Sequence, residues 1–152
     1  MDNIFIHTGH NSYDKALFNK IRNVPLFVKP TGGLWGSPID SSLDWTSFVN
    51  RENFEKQKYG KSSFKFRLNT TKILYINSVN DLDRLPHLNT YENVLGKHLS
   101  SSYDELDFEK LAEIYDAMVV YISADYNLYY RLYGWDVDSV LVFNPNVVEV
   151  VE

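Results

Sequence analysis

The first candidate for chemistry is a histidine at the end of an apolar segment near the amino terminus. The apolar residues 4–6 lead into His7, which Thr8 and Gly9 follow. An imidazole at a strand end is suited to hydrogen-bond a ligand hydroxyl, and the glycine lets the backbone approach that ligand closely. A lone histidine is also common at intermediate burial with its ring satisfied inside the protein, so both interpretations stay open.

The second candidate is the glycine-rich segment 29–38, which reads Lys-Pro-Thr-Gly-Gly-Leu-Trp-Gly-Ser-Pro. Gly32, Gly33 and Gly36 free the backbone around Trp35, so this chain segment is able to pass under a flat ligand and offer amide donors to it. A strained turn around a buried tryptophan explains the same residues. The spacing matches neither a phosphate-binding P-loop nor a dinucleotide-binding glycine fingerprint.

The third candidate is a pair of carboxylates, Asp136 and Asp138, just ahead of an apolar segment predicted as a strand. Fixed carboxylates beside a cleft stabilise positive charge that develops in a reacting ligand. Solvated turn residues fit the same two positions, so the sequence leaves both interpretations open.

Hydrophobic periodicity indicates the elements that would position these residues. Strands are predicted at 3–7, 34–37, 64–68, 72–77, 117–122, 139–143 and 147–151. Helices are predicted over 13–21, from a cap at 40–42 to residue 49, after Asp107, and over 127–133. Because strands and helices do not alternate one for one, we expect one α+β domain over 1–152, with two short-stranded sheets that form a cleft and peripheral helices.

Composition narrows the class of protein. The absence of cysteine excludes disulfides, thiolate zinc sites and cysteine nucleophiles, and it fits a reducing, cytoplasmic setting. The formal charge of −5 makes direct nucleic-acid binding unfavourable. The chain shows no leader pattern and no apolar run of membrane-spanning length, so we expect no membrane association.

Taken in order, these segments resemble the histidine-type branch of the ADP-ribosyltransferase superfamily, which includes the poly-ADP-ribose polymerases and diphtheria-like toxins. The resemblance runs through His7, the Gly33–Ser37 strand and the Ser-Ser-Leu-Asp-Trp segment 41–45. It continues in the segments 115–120 and 139–148, which are similar to the family's later strands. It covers the two ends of the chain, roughly 3–45 and 115–151, and not the middle.

The resemblance implies an ADP-ribosyltransferase-like fold and NAD as the substrate. His7 would bond ribose hydroxyls of NAD, and the Thr8–Gly9 backbone would hold the nicotinamide amide. Trp35 and Trp45 stand where the family has two tyrosines, which keeps ring stacking and loses both hydroxyls. Gly33 would line the nucleotide cleft, and Ser37 and Ser42 would be supporting polar contacts.

The same resemblance requires an acidic residue at the start of the strand that begins at Ser139. Asp138 is the nearest acid and Asp136 the next, and either would be the catalytic carboxylate. A residue one position earlier points to the opposite face of a regular strand, unless a bulge or a loop entry reorients it. The carboxylate would stabilise the oxocarbenium-like charge on the ribose as the bond to nicotinamide breaks.

Two functions follow as expectations. The first is an enzyme that transfers ADP-ribose from NAD to a macromolecular, most simply a protein, acceptor, as small toxins or phage effectors do to host proteins. The second is a catalytically inactive binding or inhibitor module of the same fold, which would bind a protein partner or a nucleotide.

Weaker constellations point elsewhere. His87 and His98 would suit a metal site together with three nearby acids, Glu92, Asp104 and Glu105. No helix-spaced pair of histidines supports one, and we expect no bound metal. A serine hydrolase is not supported either, because the sequence contains no G-x-S-x-G motif, which forms the strand-turn-helix at the nucleophile of many such enzymes. A tyrosine cluster at 126, 129, 130 and 133 is typical of a core and its rim, or of a partner surface.

Overall fold

The computed structural model describes residues 4–24, 29–45, 62–88, 104–132 and 134–151. Seven strands lie in these ranges: β1 (Ile4–Thr8), β2 (Leu34–Pro38), β3 (Ser63–Leu68), β4 (Ile73–Ile76), β5 (Ala117–Val120), β6 (Ser139–Val142) and β7 (Val148–Val151). Each strand was predicted within about two residues at its ends, because alternation along a strand is a local pattern.

All seven strands form one sheet in the order β4-β5-β6-β2-β1-β3-β7. Only β4 and β5 are parallel. The prediction of two sheets therefore differs from the structure, and β2 is the reason. Its first residues, Leu34 to Gly36, pair with β6, whereas Ser37 and Pro38 pair with β1. One short strand thus joins two groups of strands that the sequence pattern treats as separate.

The core lies on both faces of this sheet. Met118 and Leu141 point into one apolar cluster, while their neighbours Val119 and Val140 point into another. Every residue of β5 and β6 is consequently buried. Strands that are covered on both faces read as continuous apolar runs, which is how both appear in the sequence.

Two α-helices lie in the described ranges, α1 (Phe108–Ile114) and α2 (Tyr126–Arg131). The carboxylate of Asp107 accepts from the amide of Lys110 at 3.2 Å and caps α1 as predicted. Asp125 caps α2 in the same way by accepting from Asn127 at 3.0 Å. The helix predicted to reach residue 49 begins at Trp45, and its remainder lies outside the described residues. Within those residues, none of the helices has the length and apolar character needed to cross a membrane.

The helix predicted over 13–21 was wrong. Only a single 3₁₀ turn forms there, at Lys15–Leu17. The following backbone bonds the glycine-rich segment instead, since the carbonyl of Asn19 accepts from the amide of Gly33 at 2.8 Å and Arg22 bridges to Thr31. Pairing with a distant segment therefore replaces the helical hydrogen bonds that the local spacing favoured.

Candidate functional site

His7 lies near the end of β1, with its ring held on three sides. Nδ1 lies 2.7 Å from the carbonyl oxygen of Trp35, which only accepts, so Nδ1 carries a proton and donates it. Nε2 lies 2.9 Å from Nδ1 of His10, whose ring stacks on that of His7. The ring of Phe64 packs on it with centroids 5.0 Å apart. Both ring nitrogens therefore have partners within the protein, as expected for a histidine whose ring is satisfied internally.

Burial lowers the pKa of His7 below its ordinary value, and the charge of a protonated His10 lowers it further. The hydrogen bond to the Trp35 carbonyl opposes this shift only in part. The neutral ring is therefore favoured, with Nδ1 as the donor and Nε2 as an acceptor. An acceptor nitrogen whose partner is the exposed His10 is suited to bond a ligand hydroxyl instead.

A pocket of about 300 Å³ opens beside this ring. Its walls come from His7 and Gly33, from the turn that carries Tyr13 and Phe18, and from Phe64. His10, Ser12, Asp14 and Asn19 also line it, so its walls are mixed in polarity, and its volume is at the lower end of the range for small-molecule sites. Gly33 and His7 both line this pocket, whereas Trp35, Ser37, Asp136 and Asp138 do not.

Two glycines explain why β2 lies so close to its neighbours. Gly33 has φ +73°, and a Cβ there would come within 2.6 Å of a side-chain carbon of Leu141. At Gly36 a Cβ would come within 2.7 Å of the carbonyl oxygen of Ile6. Both positions need glycine to pack β2 into the sheet. The close approach that the sequence assigned to a ligand is, at Gly36, an approach by the protein's own backbone.

Trp35 and Trp45 share one cation. The ammonium of Lys29 lies 4.6 Å from the centroid of Trp45 and 5.8 Å from that of Trp35. Trp35 is backed by the buried Trp135, at 4.9 Å between ring centroids, and its indole N–H donates to the carbonyl of Gly32 at 3.2 Å. Asp136 lies near enough to Lys29 to favour its charged form.

Ser37 connects this aromatic pair to the sheet. Its hydroxyl oxygen accepts from the backbone amide of Trp45 at 3.0 Å, and the residue is fully buried. The Ser37 hydroxyl therefore holds the backbone of Trp45 in place. Ser42 is exposed. Its neighbour Ser41 is the residue of the pair that reaches a carboxylate.

Asp138 is a buried carboxylate, only 2% exposed. Its Oδ2 accepts from the hydroxyls of Ser41 and Ser123, each at 2.7 Å, and its Oδ1 accepts from the amide of Ser123 at 2.9 Å. The interpretation of Asp138 as a solvated turn residue was wrong. It lies one residue ahead of β6, and its own amide donates to the carbonyl of Leu43 at 2.9 Å, so it is a loop entry rather than part of the ladder.

The sequence did not assign Ser41 or Ser123 a role toward this carboxylate. Ser41 is 97 residues from Asp138 along the chain, and no local pattern links the two. Ser139, at the position where the resemblance requires an acid, is fully buried and donates to the carbonyl of Val137 at 2.9 Å. A pair of adjacent serines was the one visible signal, since either member is able to serve as a donor.

The Thr8–Gly9 segment is engaged within the protein. Thr8 pairs with Ser63 in the sheet, and the amide of Gly9 donates to the carbonyl of Ser62 at 2.8 Å. That N–H is consequently not available to a nicotinamide amide in this structure.

Elsewhere, His87 belongs to an ion-pair network. Its Nε2 lies 2.7 Å from Asp104, whose other oxygen bonds Arg131. In the described parts of the chain, no group of three histidines or acids is placed to hold a metal ion. Two of the residues considered for such a site, Glu92 and His98, lie outside the described ranges.

Strand order places these groups beside β2 but on different faces of the sheet. Trp35 packs against the cluster that contains Leu141, whereas the His7 ring packs on Phe64, which belongs to the cluster that contains Val140. β1, which carries His7, borders β2 on one side, and β6, which follows Asp138, borders it on the other. Trp35 and Ser37 belong to β2 itself, and Trp45 bonds Ser37. Comparisons of the chain with protein-family models, with curated proteins and with solved structures found no match.

Proposed function

We propose that the protein transfers ADP-ribose from NAD to a macromolecular acceptor, most simply a protein. The observation that carries the proposal is the position of β2 between the two candidate groups. A neutral imidazole borders this strand on one side, and a buried, multiply hydrogen-bonded carboxylate borders it on the other. An ADP-ribosyltransferase-like fold, with the cleft along β2, is part of this proposal.

The chemistry assigns different tasks to the two groups. His7 Nε2 accepts a hydrogen bond from a ribose hydroxyl, which replaces His10 as its partner, and so holds the ribose in place. The glycosidic bond to nicotinamide breaks, and nicotinamide leaves with the bonding electron pair. The acceptor's nucleophile attacks the same ribose carbon and releases its proton. Asp138, or Asp136 in its place, stabilises the positive charge on the ribose in between.

The remaining residues shape the site in this proposal. Trp35 and Trp45 flank the nicotinamide ring, and Ser37 holds Trp45 in place through the bond at 3.0 Å. The 300 Å³ pocket beside His7 and Gly33 lies on the face of the sheet opposite the Trp35 ring, so the proposal requires a rearrangement around Gly33 before one nucleotide contacts both. Thr8, Gly9 and Ser42 would contribute only after a local rearrangement. A cytoplasmic toxin or phage effector acting on a host protein is the setting we propose.

One observation favours a second function, that of an inactive binding module. Both oxygens of Asp138 already accept hydrogen bonds from the protein, and the side chain is almost fully buried. A carboxylate satisfied in this way is able to hold the loops of Ser41 and Ser123 together without meeting a substrate. In that case the protein would bind a nucleotide or a protein partner without turnover.

The deciding experiment measures nicotinamide release and mass gain of acceptor proteins on incubation with NAD and a cell lysate. We expect Asp138→Asn to lower turnover about 100-fold or more, because a fixed charge beside the reacting centre is worth that much. We expect His7→Ala to weaken NAD binding about tenfold, which corresponds to one hydrogen bond.

The matched control is Asp116→Asn. Asp116 also accepts two side-chain hydrogen bonds, from Thr70 and Asn144, but it precedes β5 at the other end of the β5–β6 pair. This variant should keep its turnover. Loss of activity in both variants, in proportion to their stability, would show that Asp138 acts only through the fold. NAD binding without nicotinamide release by the unmodified protein would favour the inactive module.

A further inference from the structure

The aromatic pair at the candidate site already holds a positive charge. The ammonium of Lys29 lies over the ring of Trp45 at 4.6 Å and within 5.8 Å of the ring of Trp35. A cation within about 6 Å of an indole centroid is attracted by the negative face of the ring, and tryptophan is the strongest partner of this kind. Two indoles that share one ammonium form a site for a cation.

The surroundings hold this arrangement in place. The Trp35 ring is fixed by Trp135 and by its own N–H bond to Gly32, and the backbone of Trp45 is fixed by Ser37. Asp136 adds a negative charge near the ammonium. The site is thus built to receive positive charge, whether or not that charge belongs to Lys29.

Lys29 is only half-buried, so its ammonium is able to return to water when another cation takes its place. Burial lowers the pKa of Lys29, and Asp136 opposes this shift. Partial desolvation of the ammonium makes its departure less costly than that of a fully satisfied ion pair. The contact is therefore poised for exchange.

We propose that Lys29 is an internal occupant of a cation site formed by Trp35 and Trp45, and that a cationic aromatic ring displaces it on binding. The identity of the natural ligand rests on the proposed function. In NAD the nicotinamide ring is a positively charged pyridinium, whereas in the reduced nucleotide the ring is uncharged. The two tryptophan rings thereby make the site selective for the oxidised form, and Lys29 lowers the affinity for that form by competition.

The test uses two small probes, so it does not depend on turnover. 1-Methylnicotinamide is cationic, and nicotinamide has the same ring and amide without the charge. Ligand-observed NMR titrations would compare the full chain with Lys29→Met, which keeps the apolar stem and removes the charge. We expect 1-methylnicotinamide to bind about five- to tenfold more tightly to this variant, with a change of less than about twofold for nicotinamide.

Three variants make the result specific. Lys29→Arg keeps a cation and should show no gain. Lys65→Met removes an exposed lysine on β3 and should also show none. Adding Trp45→Leu to Lys29→Met should abolish the gain, because the aromatic face is lost.

Unchanged or weaker binding of 1-methylnicotinamide by Lys29→Met would overturn the inference, and so would equal gains for both probes, since relief of a steric block does not depend on charge. The two proposals fail separately. A gain for the cationic probe without any NAD turnover would support the cation site and contradict the proposed enzyme activity. NAD turnover with no such gain would support the enzyme activity and contradict the cation site.

Discussion

His7 and His87 are two histidines with nearly the same hydrogen-bond pattern and opposite electrostatics. In both, Nδ1 lies 2.7 Å from a backbone carbonyl oxygen, that of Trp35 for His7 and that of Leu85 for His87. The difference lies at Nε2. It faces another imidazole, that of His10, in the first case and the carboxylate of Asp104 in the second.

The partner at Nε2 sets the direction of the pKa shift. Burial lowers the pKa of His7, with a smaller contribution from His10. The hydrogen bond that His87 donates to Asp104 raises the pKa of His87 and outweighs the effect of burial on that ring. His87 is therefore a structural cation, while His7 is a neutral ring with a replaceable partner. Only the second kind is suited to ligand exchange.

The largest effect that tests this comparison is on the stability of the His87 network. Asp104→Asn removes a carboxylate that pairs with both His87 and Arg131. We expect a loss of about 2 kcal/mol in the free energy of unfolding, less than for a fully buried pair because His87 and Arg131 stay partly exposed. Urea unfolding at neutral pH measures it. A loss no larger than that of His10→Ala would contradict the structural role of the network.

These two sites were predicted only in part, because the residues that form each of them lie far apart in the sequence. The strand that carries His7 was predicted, because alternation within a few residues determines it. Asp104 was noted near His87 only as a metal ligand candidate, since the sequence does not show that Arg131 occupies the second oxygen. For the same reason the sequence did not predict the hydrogen bonds between Ser123 and Asp138. Side chains from distant segments meet through tertiary packing, which no local pattern encodes.

The failures of the element predictions have the same cause. Spacing of apolar residues favoured a helix over 13–21. In the structure Leu17 is 67% exposed, and Phe18 and Ile21 pack against two different apolar clusters. The hydrogen bonds of this segment to Gly33 and Thr31 outweigh its weak helical preference. The two-sheet prediction failed because the division of β2 between β1 and β6 depends on pairing, not on periodicity.

A smaller effect is the pH dependence of stability, which should have opposite signs at the two histidines. For His87 the folded pKa is raised, so its contribution is full below about pH 6.5 and is lost as the pH rises through the folded value. For His7 the folded pKa is lowered, so its contribution is full above about pH 6.5 and is lost as the pH falls.

Urea unfolding of His7→Gln and His87→Gln between about pH 5.5 and about pH 8 separates these contributions. His87 should make the free energy of unfolding decrease toward high pH, and this decrease should be smaller in His87→Gln than in the unmodified protein. His7 should make it decrease toward low pH, and that decrease should be smaller in His7→Gln. Slopes of the same sign for the two variants would show that the two rings do not differ in the way the hydrogen bonds indicate.

The smallest effect concerns His10, the group that distinguishes the surroundings of His7 from those of His87. His10→Ala removes a like charge and uncovers one face of the His7 ring, and both changes favour the protonated form. We therefore expect the pKa of His7 to rise toward its ordinary value, as followed by NMR titration of the imidazole carbon-bound protons. The pKa of His87 should stay unchanged, and it serves as the internal control in the same spectra. If the pKa of His7 falls instead, His10 stabilises the imidazolium by accepting a hydrogen bond, and Nε2 is then a donor rather than the acceptor that a ribose hydroxyl requires.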